Sequence, residues 1–213
     1  MFETALATEF YPSGGHDRVD VLLGGDACAL VIADGMGGRS GAAAAAQMWI
    51  DAVRGGSQDT AQWADSDYWL DLMAATDRAI RDAPAAGETT AVVAVMSPRG
   101  LCGASVGDSG AWLITSDDYL DLTKSQIRKP GLGSGMAMPI PFYRKQPPAG
   151  TLLVATDGLL KYSWPQKICE TVRAAAKIDD ALPRALIDLA RMPSGGLQDD
   201  VAVAVARGPR VRR

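Results

Sequence analysis

The chain has 213 residues, of which 47% are hydrophobic and 22% charged, and its net charge is −4. These proportions are those of a soluble globular protein long enough for one substantial core, and the acidic balance argues against a nucleic-acid scaffold. Three dispersed cysteines without a CxxC pair fit a reducing, cytoplasmic setting, and with neither a signal-peptide pattern nor an apolar run of about 18 residues, no membrane span is expected.

A first strand is expected over residues 2–9. Residues 17–23 partly alternate, Gly24-Gly25 turns the chain, and the apolar run 28–33 completes a β-hairpin. Residues 40–54 are alanine-rich without an interior breaker, which predicts a helix that Gly55-Gly56 stops. Tyr68, Leu72, Ala75 and Ala79 recur at helical spacing in a second helix over 61–82. After a turn at 84–87, strands are expected at 89–96, 101–106 and 110–115, separated by Pro98-Arg99-Gly100 and Gly107-Asp108-Ser109-Gly110. The Gly- and Pro-rich stretch 124–150 reads as a long surface connection, with a flexible loop at Gly131–Gly135. Strand 151–156, helices 165–176 and 179–191, and strand 200–206 follow. Strands arrive in hairpins rather than alternating with helices, which implies the α+β class, with antiparallel sheets covered by helices. No linker divides the chain, so one domain is expected over 1–207, with a frayed basic tail at 208–213.

The residues carrying chemistry are carboxylates. Val31-Ile32-Ala33-Asp34-Gly35-Met36-Gly37-Gly38 is an apolar strand that ends on an aspartate and enters a glycine turn. Leu152-Leu153-Val154-Ala155-Thr156-Asp157-Gly158 has the same design, and Asp199-Asp200 opens the last apolar run. A carboxylate at the tip of a buried strand is costly unless a cation shares the site. With His16 as the single histidine, HExxH zinc sites are excluded, and no GxSxG elbow or GxxxxGK[ST] loop exists. The residues six positions beyond Cys28, Cys102 and Cys169 are Asp34, Asp108 and Ala175, so no cysteine-phosphatase loop is present. What remains is an oxygen-rich site for hard divalent cations, and hence hydrolysis.

Taken together, the segments resemble the PP2C or PPM family of metal-dependent protein serine/threonine phosphatases, over nearly the whole chain and in family order. The resemblance is carried by Asp34-Gly35-Met36-Gly37-Gly38, Gly87-Glu88-Thr89-Thr90, Val106-Gly107-Asp108-Ser109, Ala155-Thr156-Asp157-Gly158, and Asp199-Asp200 with the strand after it. It implies a four-layer α-β-β-α sandwich of two antiparallel sheets flanked by helices, with two Mn²⁺ or Mg²⁺ ions, and a third at a weaker site. Asp34 would bridge both metals, Gly35 would offer its carbonyl, Asp157 and Asp199 would hold the second ion, and Asp108 would serve the weaker site. Asp34, Asp157 and Asp199 would carry catalysis, and a bridging water would attack phosphorus. The substrate would be a phosphorylated protein opposing a serine/threonine kinase, and the protein a monomer.

The N-terminal segment departs from the family pattern. Asp17 is the preferred equivalent of the family's N-terminal carboxylate and Asp20 the alternative, while the phosphate-binding arginine is missing, with Arg18 or Arg39 as substitutes. The reduced, Pro- and Gly-rich flap segment implies an open site. Asp200 replaces the usual asparagine, as a second ligand or a water anchor. The empty arginine position also supports an alternative function, a pseudophosphatase that binds a phosphoprotein or kinase with the same fold. A metal-dependent hydrolase of small phosphate esters is a third reading.

Overall fold

Strand side chains alternate between two apolar surroundings, and that alternation builds the layers. The computed structural model describes residues 1–12, 14–36, 41–145 and 149–208. In chain order, β1 (Glu3–Glu9), β2 (Arg18–Gly24), β3 (Ala27–Ala33) and the short β4 (Gly35–Met36) precede helix α1 (Ala42–Gly56). A 3₁₀ turn (Thr60–Ala64) leads to α2 (Ser66–Asp82), followed by β5 (Glu88–Thr89), β6 (Ala91–Ser97), β7 (Gly100–Val106), β8 (Gly110–Ile114) and β9 (Tyr119–Asp121). Then come β10 (Ile140–Arg144), β11 (Thr151–Ala155), α3 (Asp157–Leu160), α4 (Pro165–Ala174), α5 (Ala181–Asp188) and β12 (Val201–Arg207). One antiparallel sheet has the order β1-β12-β11-β8-β9 and the other β10-β7-β6-β3-β2, while β4 and β5 form a separate pair.

In β3, Ala29, Val31 and Ala33 share a cluster with Trp49 and Val53 of α1 and Trp69 and Met73 of α2. The intervening Cys28, Leu30 and Ile32 pack with Leu152, Val154, Ala202 and Ala204 of the facing sheet. On the other side, Leu153, Val203 and Val205 join Ile168, Val172, Leu182 and Leu186 of α4 and α5. The layers therefore run helix, sheet, sheet, helix, the α+β sandwich expected from the sequence. A side chain such as Leu30, fully buried between the sheets, contributes roughly 1.5–3 kcal/mol by leaving water.

Several expected elements are redrawn. The single helix over 61–82 is a 3₁₀ turn and α2, parted at Asp65, whose extended backbone and side-chain acceptance of the Asp67 N–H make it the N-cap of α2. The 124–145 part of the expected 124–150 connection is not a loose loop. Its β10 pairs with β7, Leu132 is fully buried and bridges Thr89, and the Gly131–Gly135 turn is held by Asp77 of α2. Cys28, Cys102 and Cys169 are buried free thiols, and burial pushes Cys28 and Cys102 up to about 12, which suits packing rather than chemistry. Among the described residues, no helix is long and apolar enough to cross a membrane.

Candidate metal centre

Two neighbouring strands, one from each sheet, end on an aspartate at the same rim: Asp34 follows β3 and Asp157 follows β11. The Asp34 backbone is locked in place. Its N–H donates to Thr90 Oγ1 at 2.8 Å, and its carbonyl accepts from the Thr90 N–H at 2.8 Å and the Thr89 hydroxyl at 2.9 Å. The Thr90 and Ser109 hydroxyls meet at 2.7 Å, which ties the Asp34 tip to the β7–β8 turn carrying Asp108. The Thr156 N–H donates to the Ala202 carbonyl at 3.1 Å, and Thr156 Oγ1 accepts from the Ala202 N–H at 3.0 Å, so Asp157 is set beside the start of β12, which Asp199 precedes. Two glycines answer to space. A Cβ on Gly35 would lie 2.4 Å from the Ala42 carbonyl oxygen, and one on Gly158 would lie 1.9 Å from that of Asp200.

These tips surround a cleft of about 390 Å³ whose wall includes Asp34, Asp108, Asp157, Asp199 and Asp200, together with Gly35, His16 and Lys129. Carboxylate oxygens of Asp34, Asp108 and Asp157 all lie within 4.8 Å of one another. At such separations each ionised pair repels by roughly 3 kcal/mol in a partly buried setting. Burial, and then the charge of Asp157, pushes Asp34 up to about 7. Burial, and then Asp108 and Asp199, raises Asp157. Asp17 is buried next to Asp34; its own burial, and then the Asp34 charge, holds it well above the usual carboxylate range. Asp17 Oδ2 is buried without a hydrogen-bond partner. Crowded oxygen donors that repel one another, with an orphaned oxygen beside them, fit hard divalent cations.

Residues 24–209 match the family described as Stage II sporulation protein E (SpoIIE). The chain belongs to this SpoIIE family, which is PP2C-like. No curated protein sequence matches it. The SpoIIE-family chain superposes on the Mycobacterium tuberculosis serine/threonine phosphatase PstP/Ppp with a TM-score of 0.82, over 98% of this chain and 99% of that one, at 20% identity. Serine/threonine phosphatase Stp1 from Staphylococcus aureus gives 0.81 over 98% and 96% of the two chains at 19% identity. PppA, a key regulatory component of T6SS in Pseudomonas aeruginosa, gives 0.79 over 97% of each at 15% identity. At these identities the likeness is one of fold.

Within the SpoIIE-family chain, the predicted site residues divide into groups. Asp34, Gly35, Asp108, Asp157 and Asp199 line one cleft, and Asp17 lies against Asp34. The alternative ligand Asp20 lies on β2 and accepts from Arg54 Nε of α1 at 2.7 Å, and it does not line the cleft. Asp200 lines the cleft, but its oxygens are committed to backbone. Oδ1 accepts from the Tyr11 N–H at 2.8 Å, and Oδ2 from the Gly15 and His16 N–H groups at 2.6 and 2.7 Å. It anchors the backbone at Tyr11, Gly15 and His16. Arg18, expected to bind phosphate, is turned to other partners. Its Nε donates to Gln47 Oε1 at 2.9 Å and its Nη1 to the Gly15 and Asp17 carbonyls, and it does not line the cleft. Arg39 lies outside the described residues. Sequence reasoning missed Lys129, which stands in the wall through a fold of the chain and belongs to no motif.

Proposed function

We propose that the chain is a Mn²⁺- or Mg²⁺-dependent protein phosphatase that hydrolyses phosphoserine and phosphothreonine. The observation carrying this reading is the convergence of Asp34, Asp108 and Asp157, whose oxygens lie within 4.8 Å of one another. The solved structures it resembles, named as serine/threonine phosphatases, support it. Asp34, Asp157 and Asp199 would hold two ions, the Gly35 carbonyl would serve one of them, Asp108 would serve a weaker third, and Asp17 would take the N-terminal place beside Asp34. When bound, the ions supply charge neutralisation and acidify the water that hydrolyses the phosphoester. The chain's own part is to keep these carboxylates fixed, and the Thr89 and Thr90 bonds to Asp34 do so without rearrangement. Residues 1–207 would act as one cytoplasmic, monomeric unit on a phosphoprotein that a serine/threonine kinase produces.

The diversion of Arg18 to Gln47 favours one rival, a module that binds a phosphoprotein without turnover. Turnover of a phosphothreonine peptide, measured beside Mn²⁺ calorimetry, tests both. Asp34→Ala and Asp157→Ala are expected to lose about hundredfold or more in metal-dependent rate. Activity retained in both variants rejects the assignment, and tight Mn²⁺ binding without wild-type turnover selects the rival.

A further inference from the structure

We propose that Lys129 grips the phosphoryl group of the substrate, an inference that rests on the phosphatase reading above. A phosphate monoester is an anion, and the cleft it must enter has five aspartates in its wall. Ions held by those aspartates would offset their charge, but orienting the phosphoryl oxygens needs a donor from the chain. Among the described residues of the wall, Lys129 alone carries a permanent positive charge. It forms none of the ion pairs among the described residues, so its ammonium is not committed to a carboxylate.

The chain delivers Lys129 from a span pinned on both sides. Before it, Gln126 Nε2 donates to the Ser109 carbonyl at 2.7 Å, and the Ile127 carbonyl accepts from the Gly107 N–H at 2.9 Å. These bonds fasten the segment to the turn that carries Asp108. After it, the Gly131 N–H donates to Glu88 Oε2 at 3.2 Å, and Leu132 and Thr89 exchange N–H···O bonds at 2.9 Å. Thr89 in turn holds the Asp34 carbonyl. Lys129 thus hangs between two anchors, each bonded directly to a backbone that places a cleft aspartate. A lysine so placed meets phosphate as a point charge with three donors, whose long stem reaches into an open cleft.

Two other cations are less well placed. Arg18 spends its donors on Gln47 and on backbone carbonyls. Lys161 lies over the Tyr162 ring, 5.0 Å from its centroid, and does not line the cleft.

Calorimetric titration of inorganic phosphate into the Mn²⁺-loaded protein tests the assignment, with Mn²⁺ affinity measured separately. Lys129→Gln is expected to weaken phosphate binding roughly tenfold to hundredfold and to raise the KM for a phosphothreonine peptide in step. Mn²⁺ affinity should stay within about twofold of wild type. Lys129→Arg should retain most of the phosphate affinity, and Lys161→Gln nearly all of it. The proposal is overturned if Lys129→Gln binds phosphate within about twofold of wild type, if it loses Mn²⁺ equally, or if wild type binds no phosphate. It is overturned too if Lys161→Gln shows the same loss. A wild type that binds phosphate through Lys129 but hydrolyses no phosphopeptide overturns the phosphatase reading and leaves the Lys129 assignment standing.

Discussion

Asp77 is buried and Asp34 half-buried, and the two aspartates have opposite surroundings. Asp77, on α2, accepts the N–H groups of Gly133, Gly135 and Ala137 at 2.7, 2.9 and 3.2 Å, so the 133–137 turn wraps its carboxylate in backbone donors. Asp34 has Asp17, Asp108, Asp157 and Asp199 as its electrostatic neighbours, and it is driven toward the protonated form. Asp200 lies in the cleft wall but belongs with Asp77, because three amides also converge on it. A buried carboxylate satisfied by amides needs no counterion. One facing other carboxylates does. The difference separates structural clamps from candidate ligands more sharply than nearness to the cleft.

The largest expected effect lies on the cleft side of this contrast. With metal removed, Asp34→Asn takes one charge out of the cluster and should raise the melting temperature at neutral to mildly alkaline pH by several degrees, on the order expected for a few kcal/mol in a chain of this size. The wild type carries the matching pH signature. Asp34 is raised from 3.8 to about 7 in the folded chain. Between those values the folded protein keeps a proton that the unfolded chain has released, so metal-free stability should fall as pH rises from about 4 to about 7. Saturating Mn²⁺ should flatten the slope. Melting curves with and without chelator read both effects, and a flat metal-free profile would break the contrast.

Next come the clamps. Asp200→Ala leaves three backbone N–H groups without their acceptor and should cost about 2–3 kcal/mol in urea unfolding. Its Mn²⁺ affinity should suffer less than that of Asp157→Ala, and an equal loss would move Asp200 among the ligands. Asp77→Ala should cost about 1–3 kcal/mol by the same reasoning. Since Asp77 holds the segment that carries Lys129, its KM should rise more than its kcat falls. The smallest effect is expected at Asp20, whose partner Arg54 is half exposed. Asp20→Asn should change stability by under about 1 kcal/mol and leave turnover at the wild-type rate.

Local pattern made most of the cleft legible. Asp34, Asp157 and Asp199 each lie within two residues of an apolar strand and Asp108 sits in a hairpin turn, so the local sequence around each residue marks all four. It ranked Asp17 above Asp20 without settling between them, because two candidates so close at the mouth of a strand differ only in which neighbour each meets. Pairing of β2 with β3 sets Asp20 on the strand, toward Arg54 of α1, and leaves Asp17 ahead of it, against Asp34. Nor could glycine content reveal that the 131–137 segment is tightly held, because the clamp comes from Asp77, more than fifty residues earlier in the chain.

By itself, then, the amino-acid order determined the layered α+β architecture and the acids at the strand tips, since apolar periodicity and turn residues act over a few neighbours. Only the tertiary structure decided which acids repel one another, which are wrapped in amides, where Arg18 spends its donors, and that Lys129 reaches the cleft. Those outcomes depend on what lies opposite a side chain in space, and contacts between distant segments leave no local period to read.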